Sequence, residues 1–600
     1  MPHATMGITL PTEINIITLN CWGLKFISKL RDERLTEIGR RIASAAPRPH
    51  IVALQECFTQ EDYETVRRET RSILPYGKFY FSGPFGGGLA ILSHWPIEES
   101  TMLRYPLNGR PTAFWRGDWY VGKGIACAKI RYGPGPKDII EVFNTHTHAP
   151  YEDSYLCHRL AQSWEMSKLL RGATERGHLV LGLGDFNMRP ASLPHRLITA
   201  HATLVRDAWR LLHPDSSLGT PDDPLERARR RPVPTADFNL LENGATSDSV
   251  YCTWRWSADQ QRRLSSKKKS GSDPYAVPPH ALDPKGKRLD YVFVADGQRA
   301  TSPSRRHGNA RDGASTRTGW VVKSAKVGMV EPHPRLGCSL SDHFSVEVTI
   351  AYHTSSNQRR SPQTRDDPPT RPQAGTGTTK VAHGTAAIDN VTSYLQSPTA
   401  SETGSQSDHP PTHDRDASQS ENNNPRSSHR HAVQRRPPQQ SRPLSAPLTP
   451  APELASESDL DLQLDPTHYP AHQDNAPLPS SAYDDVLSTI RAYVRREQSQ
   501  RRLRAAHFFV WFALWLASLA GIWFVPSRLR FFNFLLLLLG SLGLVAGVVD
   551  GLMALLFFGS ELRALREFEW EILNAKASAA GGAGPGVVGE DGKVQWERGW

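Results

Sequence analysis

The chain has 600 residues, 38% of them apolar, and 71 Lys and Arg against 61 Asp and Glu, for a formal net charge of +10. This length allows several domains, and the positive balance suits an anionic partner, nucleic acid or acidic membrane, without choosing between them. All six cysteines precede residue 340 and none forms a Cys-x-x-Cys pair, which argues against a zinc ribbon and reads as free thiols in a reducing compartment.

No charged-then-apolar leader opens the sequence, so the first half is expected to stay in the cytosol. From residue 12 to 352, short β-rich runs alternate with helical stretches. A strand over 14–19 ends in Asn20, and a helix over 31–46 carries Leu35, Ile38 and Ile42 on one face. The next strand, 51–54, ends in Gln55-Glu56. Strands over 88–93, 124–131 and 139–144 follow, the last running into Thr145-His146-Thr147-His148. A helix over 154–171 precedes the apolar run 178–183, which stops at Gly184-Asp185-Phe186-Asn187. Strands at 289–295, 320–330 and 344–352 complete the pattern, the last directly after Ser341-Asp342-His343. Many strands with few helices predict one large α+β domain in which helices cover packed sheets. Two polar stretches, 257–287 with Lys267-Lys268-Lys269 and 295–318, are expected as long solvated loops.

Residues 353–480 turn abruptly to Pro, Ser, Thr, Gln, Asn, His and Arg with hardly any aromatics. Such a segment buries too little apolar surface to offset its ordering entropy, which predicts a disordered linker. Over 481–506 a stripe of Val486, Leu487, Ile490, Tyr493 and Val494 runs beside crowded arginines, the pattern of a basic amphipathic juxtamembrane helix. Residues 507–525 and 531–558 are each long and apolar enough to span a hydrocarbon core. The turn between them is tight, so both ends of the hairpin lie on one side. Arginines before the first span and after the second put that side, with both termini, in the cytosol. Gly543, Gly547 and Gly551 on the second span, and Ala513, Ala517 and Gly521 on the first, offer shallow seams for close helix approach. Asp550 is expected to reach the interface or face the other span. The tail, 559–600, opens with an amphipathic stretch bearing Leu562, Leu565 and Phe568.

Five polar clusters therefore stand at strand ends: Asn20, Gln55-Glu56, His146 with His148, Asp185 with Asn187, and Asp342-His343. Polar residues where buried strands surface are rigidly held yet open to a ligand. Hard oxygen donors with imidazoles and no cysteine arrangement suit Mg²⁺ or a similar ion better than zinc. A divalent ion beside a histidine base is a standard means of attacking a phosphodiester.

This set resembles the endonuclease/exonuclease/phosphatase superfamily, through Leu19-Asn20, Leu54-Gln55-Glu56, Asn144-Thr145-His146, Gly184-Asp185-Phe186-Asn187, Leu289-Asp290-Tyr291 and Ser341-Asp342-His343. Within it the chain looks most like the neutral sphingomyelinases and the fungal inositol phosphosphingolipid phospholipases C. The features are Asn144 to Ala149, the Gly-Asp-Phe-Asn-Met-Arg-Pro run from Gly184 to Pro190, and Gly117 to Gly124 with Asp118 and Lys123. The resemblance implies a DNase I-like four-layer α/β/β/α sandwich over 12–352, followed by the linker and the two-helix transmembrane hairpin. It implies that Glu56 holds Mg²⁺, or Mn²⁺ in its place, with Asn20 nearby and Asp342 supporting the metal. His343 would be the general base, oriented by Asp290. Asp185 and Asn187 would position water and phosphoryl group, and His146 would stabilise the transition state or aid the leaving alkoxide. His148 would assist at the substrate. Asp118 and Lys123 match a lipid-responsive switch, with an anionic phospholipid as activator.

The implied reaction is phospholipase C-type hydrolysis of a sphingolipid to ceramide and a phosphorylated headgroup, in the endoplasmic reticulum or mitochondrial outer membrane, with no nucleic acid partner. The alternatives are a phosphoinositide 5-phosphatase, a nuclease of the same fold, or an inactive membrane-tethered scaffold. The first is disfavoured because Arg288-Leu289-Asp290-Tyr291 lacks the preceding cysteine of that family's segment.

Overall fold

The structure is a computed structural model that describes residues 10–113, 116–265, 277–297, 317–355, 454–464 and 476–581. Twelve strands form two six-stranded sheets. The first runs, in spatial order, β11 (Arg317–Gly328), β12 (Ser345–Ser355), β1 (Glu13–Asn20), β2 (Ile51–Gln55), β4 (Leu89–Ser93) and β3 (Tyr76–Tyr80). The second runs β5 (Ile97–Arg104), β6 (Gly124–Arg131), β7 (Ile139–His146), β8 (Leu179–Asp185), β10 (Asp290–Asp296) and β9 (Arg206–Asp207).

The layering follows from the two-residue period of the strands. Ile14 and Ile16 of β1 point to the second sheet, where Ala126, Ile140, Val142, Leu181 and Val292 meet them in one core. Ile17 and Leu19, one step out of phase, face the helices α1 (Arg31–Ala43) and α2 (Gln60–Thr70) through Leu35, Ile38, Ile42 and Val66. The other sheet repeats the arrangement, with Val180, Phe143 and Phe293 packing on Met166, Leu170 and Ala173 of the helix α4 (Leu156–Glu175). The result is the expected four-layer DNase I-like sandwich. α1 closes three residues before the anticipated end at 46, the chain turning away at Ser44.

Register places the polar clusters. β1 and β2 run parallel with Asn20 opposite Gln55, and β7 and β8 run parallel with His146 opposite Asp185. β10 is antiparallel to β8 and begins with Asp290 opposite Asp185. β12 is antiparallel to β1, so its N-terminal end, just after His343, comes back beside Thr18. All five strand ends therefore open on one edge of the sandwich.

Residues 480–521 form one continuous helix, Ser480–Gly521, so the juxtamembrane stripe and the first apolar run share an axis. A second helix, Phe531–Leu552, passes through a π turn at Met553–Phe557 into a third, Phe558–Ala579. Two helices here are long and apolar enough to cross a membrane. Their less apolar parts do not hang free. Tyr483, Val486, Leu487, Ile490, Tyr493 and Val494 pack with Leu562, Leu565, Phe568 and Ile572 against Leu107 and the outer face of α4, at Cys157, Leu160 and Trp164. This dock buries apolar side chains each worth about 1.5–3 kcal/mol when fully covered.

In the hairpin the glycines lie against bulky partners, unlike the expected pairing of small residues on both spans. A Cβ on Gly543 would fall 2.0 Å from the Trp511 ring, and one on Gly551 would fall 3.0 Å from Phe508. Asp550 faces the first helix, bonded to Arg504, with its other oxygen 2.8 Å from His507 Nδ1.

The expected loop over 257–287 is partly ordered: Ala258–Ser265 is helical, and buried Asp283 accepts from the Val250 and Gly286 amides at 3.2 Å. Within the stretch expected as linker, Glu457–Leu464 forms a helix that packs Leu460 and Leu464 on Val321. Its Gln463 exchanges hydrogen bonds with the Val322 backbone at 2.8 and 2.9 Å, extending a sheet edge. The rest of that linker, 356–453 and 465–475, the basic run Lys267 to Lys269, most of 295–318 and the tail beyond 581 lie outside the described residues.

Candidate active site

At the open edge, the chain bends through unusual backbone geometry to present its polar groups. Glu56 (φ 52°) and Asn187 (φ 45°) are both left-handed, a sparsely populated region for non-glycine residues that recurs at functional sites. Gly184 (φ 138°) is required by contact, because a Cβ there would lie 1.9 Å from the Thr145 carbonyl oxygen.

Asn20 is the bridge between the sheets. Its Nδ2 donates to Glu56 Oε1 at 2.9 Å and to Asp185 Oδ2 at 3.1 Å. Asp185 Oδ1 accepts the Asn187 amide at 2.9 Å, and Asn187 Nδ2 donates to the Thr147 carbonyl at 3.2 Å. The His343 ring bonds through Nδ1 to Asp290 Oδ2 at 2.8 Å and turns Nε2 toward Asp185 Oδ2, 3.9 Å away. His146 Nε2 lies 3.6 Å from that same Asp185 oxygen and 3.1 Å from Lys123 Nζ. Lys123 is buried; it pairs with Asp118 Oδ1 at 2.7 Å and donates to the Thr147 carbonyl at 2.9 Å. Asp118 opens the one-turn helix α3 (Asp118–Val121), and its other oxygen is 3.7 Å from His148 Nε2. His148 is stacked on Tyr155 at 4.3 Å and set back from the opening. The structure thus gathers Asn20, Glu56, Asp185, Asn187, Asp290, His146 and His343 into one cluster, with Asp118, Lys123 and His148 as its buried wall.

Electrostatics distinguish the members. Burial, then the neighbouring Asp342, pushes Glu56 up to about 7. Burial also lifts Asp185 to about 6, with Asp290 adding to the rise and His343 opposing it. Burial alone would depress His343, yet Asp290 and Asp185 hold it well above the ordinary imidazole value. His146 is held well below it by burial and by the Lys123 ammonium. Burial would raise Asp118, but Lys123 and then His148 bring it below the ordinary range.

This edge is therefore rich in carboxylate and short of positive charge, which is the chemistry of a hard-cation site. Asp185, Asp290 and His343 each offer a ligand atom within 4.8 Å of the others, a cluster able to hold a divalent ion. Glu56 adds a carboxylate on the other side of Asp185, toward which Asn20 turns its Nδ2 while its Oδ1 accepts the Trp22 amide at 3.0 Å. Mg²⁺ and Mn²⁺ both fit such a set; no cysteine sulfur takes part.

The sequence profile of the Endonuclease/Exonuclease/phosphatase family matches residues 17–343, which takes in every one of these groups. The chain belongs to that family. Among relatives, it is 41% identical over 350 residues to the inositol phosphosphingolipids phospholipase C of Schizosaccharomyces pombe, covering 58% of this chain and 70% of that one. The protein of the same name in Saccharomyces cerevisiae is 28% identical over 587 residues, 94% of this chain and 90% of the relative, so the likeness extends through the hairpin. Human sphingomyelin phosphodiesterase 2 is 32% identical over 183 residues, 30% and 42% of the two chains. Among solved structures, sphingomyelinase C from Streptomyces griseocarneus is similar at 16% identity and a TM-score of 0.32, covering 56% of this chain and 99% of that one.

Several site residues escaped the strand-end pattern that exposes the rest of the family motif. Thr246 donates to Asp290 Oδ2 at 2.6 Å and so fixes the carboxylate that orients His343. Gln162 accepts the His148 amide at 2.8 Å, and Ser341 donates to the Asn20 carbonyl at 2.6 Å. Ser341 lies inside a quoted motif. Thr246 follows no β run and Gln162 is mid-helix, so neither had a local signal.

Proposed function

We propose that this chain is a membrane-anchored hydrolase that cleaves phosphosphingolipids in the manner of a phospholipase C, yielding ceramide and a phosphorylated headgroup. The observation that carries the reading is the bridged cluster of Glu56, Asn20, Asp185 and the His343 and Asp290 pair, on a domain packed directly on two apolar helices. The relatives named for sphingolipid substrates supply the chemical class.

Glu56, with Asn20 and Asp342 nearby, would hold Mg²⁺ or Mn²⁺, which when bound neutralises charge on the phosphoryl oxygens, and the Asp185, Asp290 and His343 cluster would be left to the water and the phosphoryl group. In its neutral form the His343 ring would act as the base. Its Nε2 then takes a proton from the attacking water, while Nδ1 donates to Asp290, which fixes the tautomer as Thr246 fixes Asp290. Asp185 and Asn187 orient water and phosphoryl group. His146 stabilises the departing alkoxide side, where Lys123 keeps its ring neutral. Displacement in line at phosphorus breaks the bond to the ceramide oxygen and needs no covalent enzyme intermediate.

Lys123, bridging Asp118 and His146, is the part through which an anionic phospholipid would act, and the arginines of the first helix would gather that lipid, each contributing about 1 kcal/mol near an anionic surface. With the arginine-rich ends inward, the catalytic domain and both termini face the cytosol. The test is release of phosphorylated headgroup from sphingolipid vesicles by the purified chain. It should require a divalent metal, vanish in Glu56→Ala and His343→Ala, and survive in a surface control such as Glu99→Ala. Equal or faster turnover of a phosphoinositide or DNA would overturn the substrate class.

A further inference from the structure

We propose that the loops flanking Glu56 form an apolar rim that seats the active-site mouth in the bilayer holding the hairpin. This inference rests on the reading of the chain as a membrane-anchored lipid hydrolase, and it adds the surface by which substrate leaves the bilayer.

The rim is built from two loops on the open edge. The segment after β1 returns to the site through the Gly23 amide, which donates to the Glu56 carbonyl at 2.9 Å. It then holds out Phe26, 95% exposed, and Ile27, 64% exposed. Phe26 sits at φ 71°, a conformation a bulky side chain rarely takes, yet the ring gains no burial from it. Lys25 lies over that ring at 5.6 Å, placing a cation beside the apolar tip. The second loop, between β3 and β4, adjoins the site because β4 pairs with β2 and the Cys57 amide donates to the Gly88 carbonyl at 3.0 Å. It exposes Phe81 by 67% and Phe85 by 68%. Single exposed apolar residues are ordinary, but three phenylalanines and an isoleucine around one catalytic carboxylate form a patch that calls for a partner.

Continuity with the hairpin chooses the partner. Phe85 packs near Tyr120 of α3, with ring centroids 6.3 Å apart, and Ser82 donates to the Gly122 carbonyl at 2.5 Å. The next residue of α3, Trp119, meets Phe557 edge to face at 5.0 Å. Phe557 ends the second apolar run. An aromatic path thus leads from that run across α3 to the rim, so the rim lies on the side where the hairpin enters the membrane. Exposed aromatic tips, one with a lysine beside it, are the composition of an interfacial lipid contact.

The experiment uses the full chain in phosphatidylcholine vesicles containing phosphatidylserine. A Phe26→Asn, Phe81→Ser, Phe85→Ser variant, with Asn at position 26 because it tolerates the left-handed backbone, is assayed on a long-chain phosphosphingolipid in the vesicle and on a short-chain analogue monomeric in water. The rim predicts a tenfold or larger fall on the first and less than twofold on the second. In parallel, Phe85→Trp is compared with the parent chain in vesicles of brominated phosphatidylcholine, and the emission added to that of the 15 native tryptophans should be quenched. Added emission left unquenched overturns the proposal whatever the rates, and assigns the rim to a protein partner. Failure of the parent chain to cleave either lipid overturns the hydrolase reading instead, and the quenching then decides the rim alone.

Discussion

The catalytic edge and the helical dock both bury ionisable groups, and they handle them in opposite ways. At the edge, acids are gathered without enough cations: Glu56 rises to about 7 and Asp185 to about 6, while Asp290 and then Asp185 hold His343 well above the ordinary imidazole value against its burial. At the dock, Glu497 and Glu561 face each other across two helices, each raised to about 7 by burial and, for Glu497, by its partner. Tyr493 donates to Glu561 at 3.0 Å and bonds with His158 at 3.3 Å, closing that cluster with protons rather than with charge. The edge is left short of a ligand, as suits a site that does chemistry, whereas the dock closes on itself through Tyr493 and serves to hold the helices on the sandwich.

The widest separation between the regions should come from removing the catalytic groups. Glu56→Ala and His343→Ala should each lower kcat by about 10³-fold, roughly 4 kcal/mol of barrier, with unfolding midpoints close to the parent's. A large loss of stability in either variant would mean that the edge, like the dock, is a structural cluster. The converse substitution is Ile490→Ala. Ile490 is fully buried among Leu562, Leu565 and α4, and truncation should cost about 2–4 kcal/mol of docking. Hydrogen exchange over 483–497 and 562–572 should accelerate while strands β7 and β8 stay protected. Uniform acceleration would show that the dock and the sandwich unfold as one unit.

How much of this was readable in sequence divides along the same line. Asn20, Glu56, His146 and Asp185 each end an apolar β run, and the parallel pairing of β1 with β2 and β7 with β8 brings such ends to one edge, so their positions are legible from periodicity alone. His343 directly precedes a strand and is legible for the same reason, whereas Asp290 is marked only by the family motif Leu289-Asp290-Tyr291. The dock is not. Helix α4 is apolar on two faces, one for the sheet at Met166 and Leu170 and one for the dock at Leu160 and Trp164, and a doubly covered helix reads simply as a good helix. The stripe from Val486 to Val494 announced an apolar face without naming its cover. Phe508 and Trp511 filling the glycine seam, and Gln463 extending a sheet edge, are tertiary pairings for which no local spacing exists.

The contrast in protonation predicts opposite pH limbs at the dock. His158 is buried and lowered to about 3, by burial first. Below the ordinary value near 6.5 the unfolded imidazole takes up a proton that the folded one refuses, so its contribution is complete above about 6.5 and is lost as pH falls toward 3. Glu497 and Glu561 have the reverse sign. The unfolded carboxyls ionise above about 4.5 while the folded pair keeps its protons, so their contribution is complete below that value and is lost as pH rises through 7. Docking stability should therefore peak near about pH 4.5 and fall on both sides, each unbalanced group adding a slope of up to about 1.4 kcal/mol per pH unit. Denaturant midpoints of the dock, followed by hydrogen exchange from pH 4 to 8, measure both limbs. Glu561→Gln should flatten the alkaline limb and leave the acid one, and a curve that keeps both would refute the assignment.

The smallest effect is the most discriminating. Tyr493→Phe keeps the ring against His158 and the Arg110 guanidinium, 5.4 Å from its centre, and removes only the hydroxyl that Glu561 and His158 share. Losing the two hydrogen bonds of this buried hydroxyl should cost the dock about 1–2 kcal/mol. The two routes from Tyr493 to the edge run through His158, whose ring is 5.1 Å from that of His148, and through Arg110, which stacks at 4.1 Å on the Tyr155 ring beneath His148. Both keep their ring packing in the substitution, and the hydroxyl's own bonds end at His158 and Arg110, short of His148. Turnover of a monomeric substrate by Tyr493→Phe should accordingly stay within twofold of the parent's while dock protection falls. A matching fall in kcat would mean that the two clusters are one network, wired by protons across α4, and that separating a chemical edge from a mechanical dock is the wrong division of this molecule.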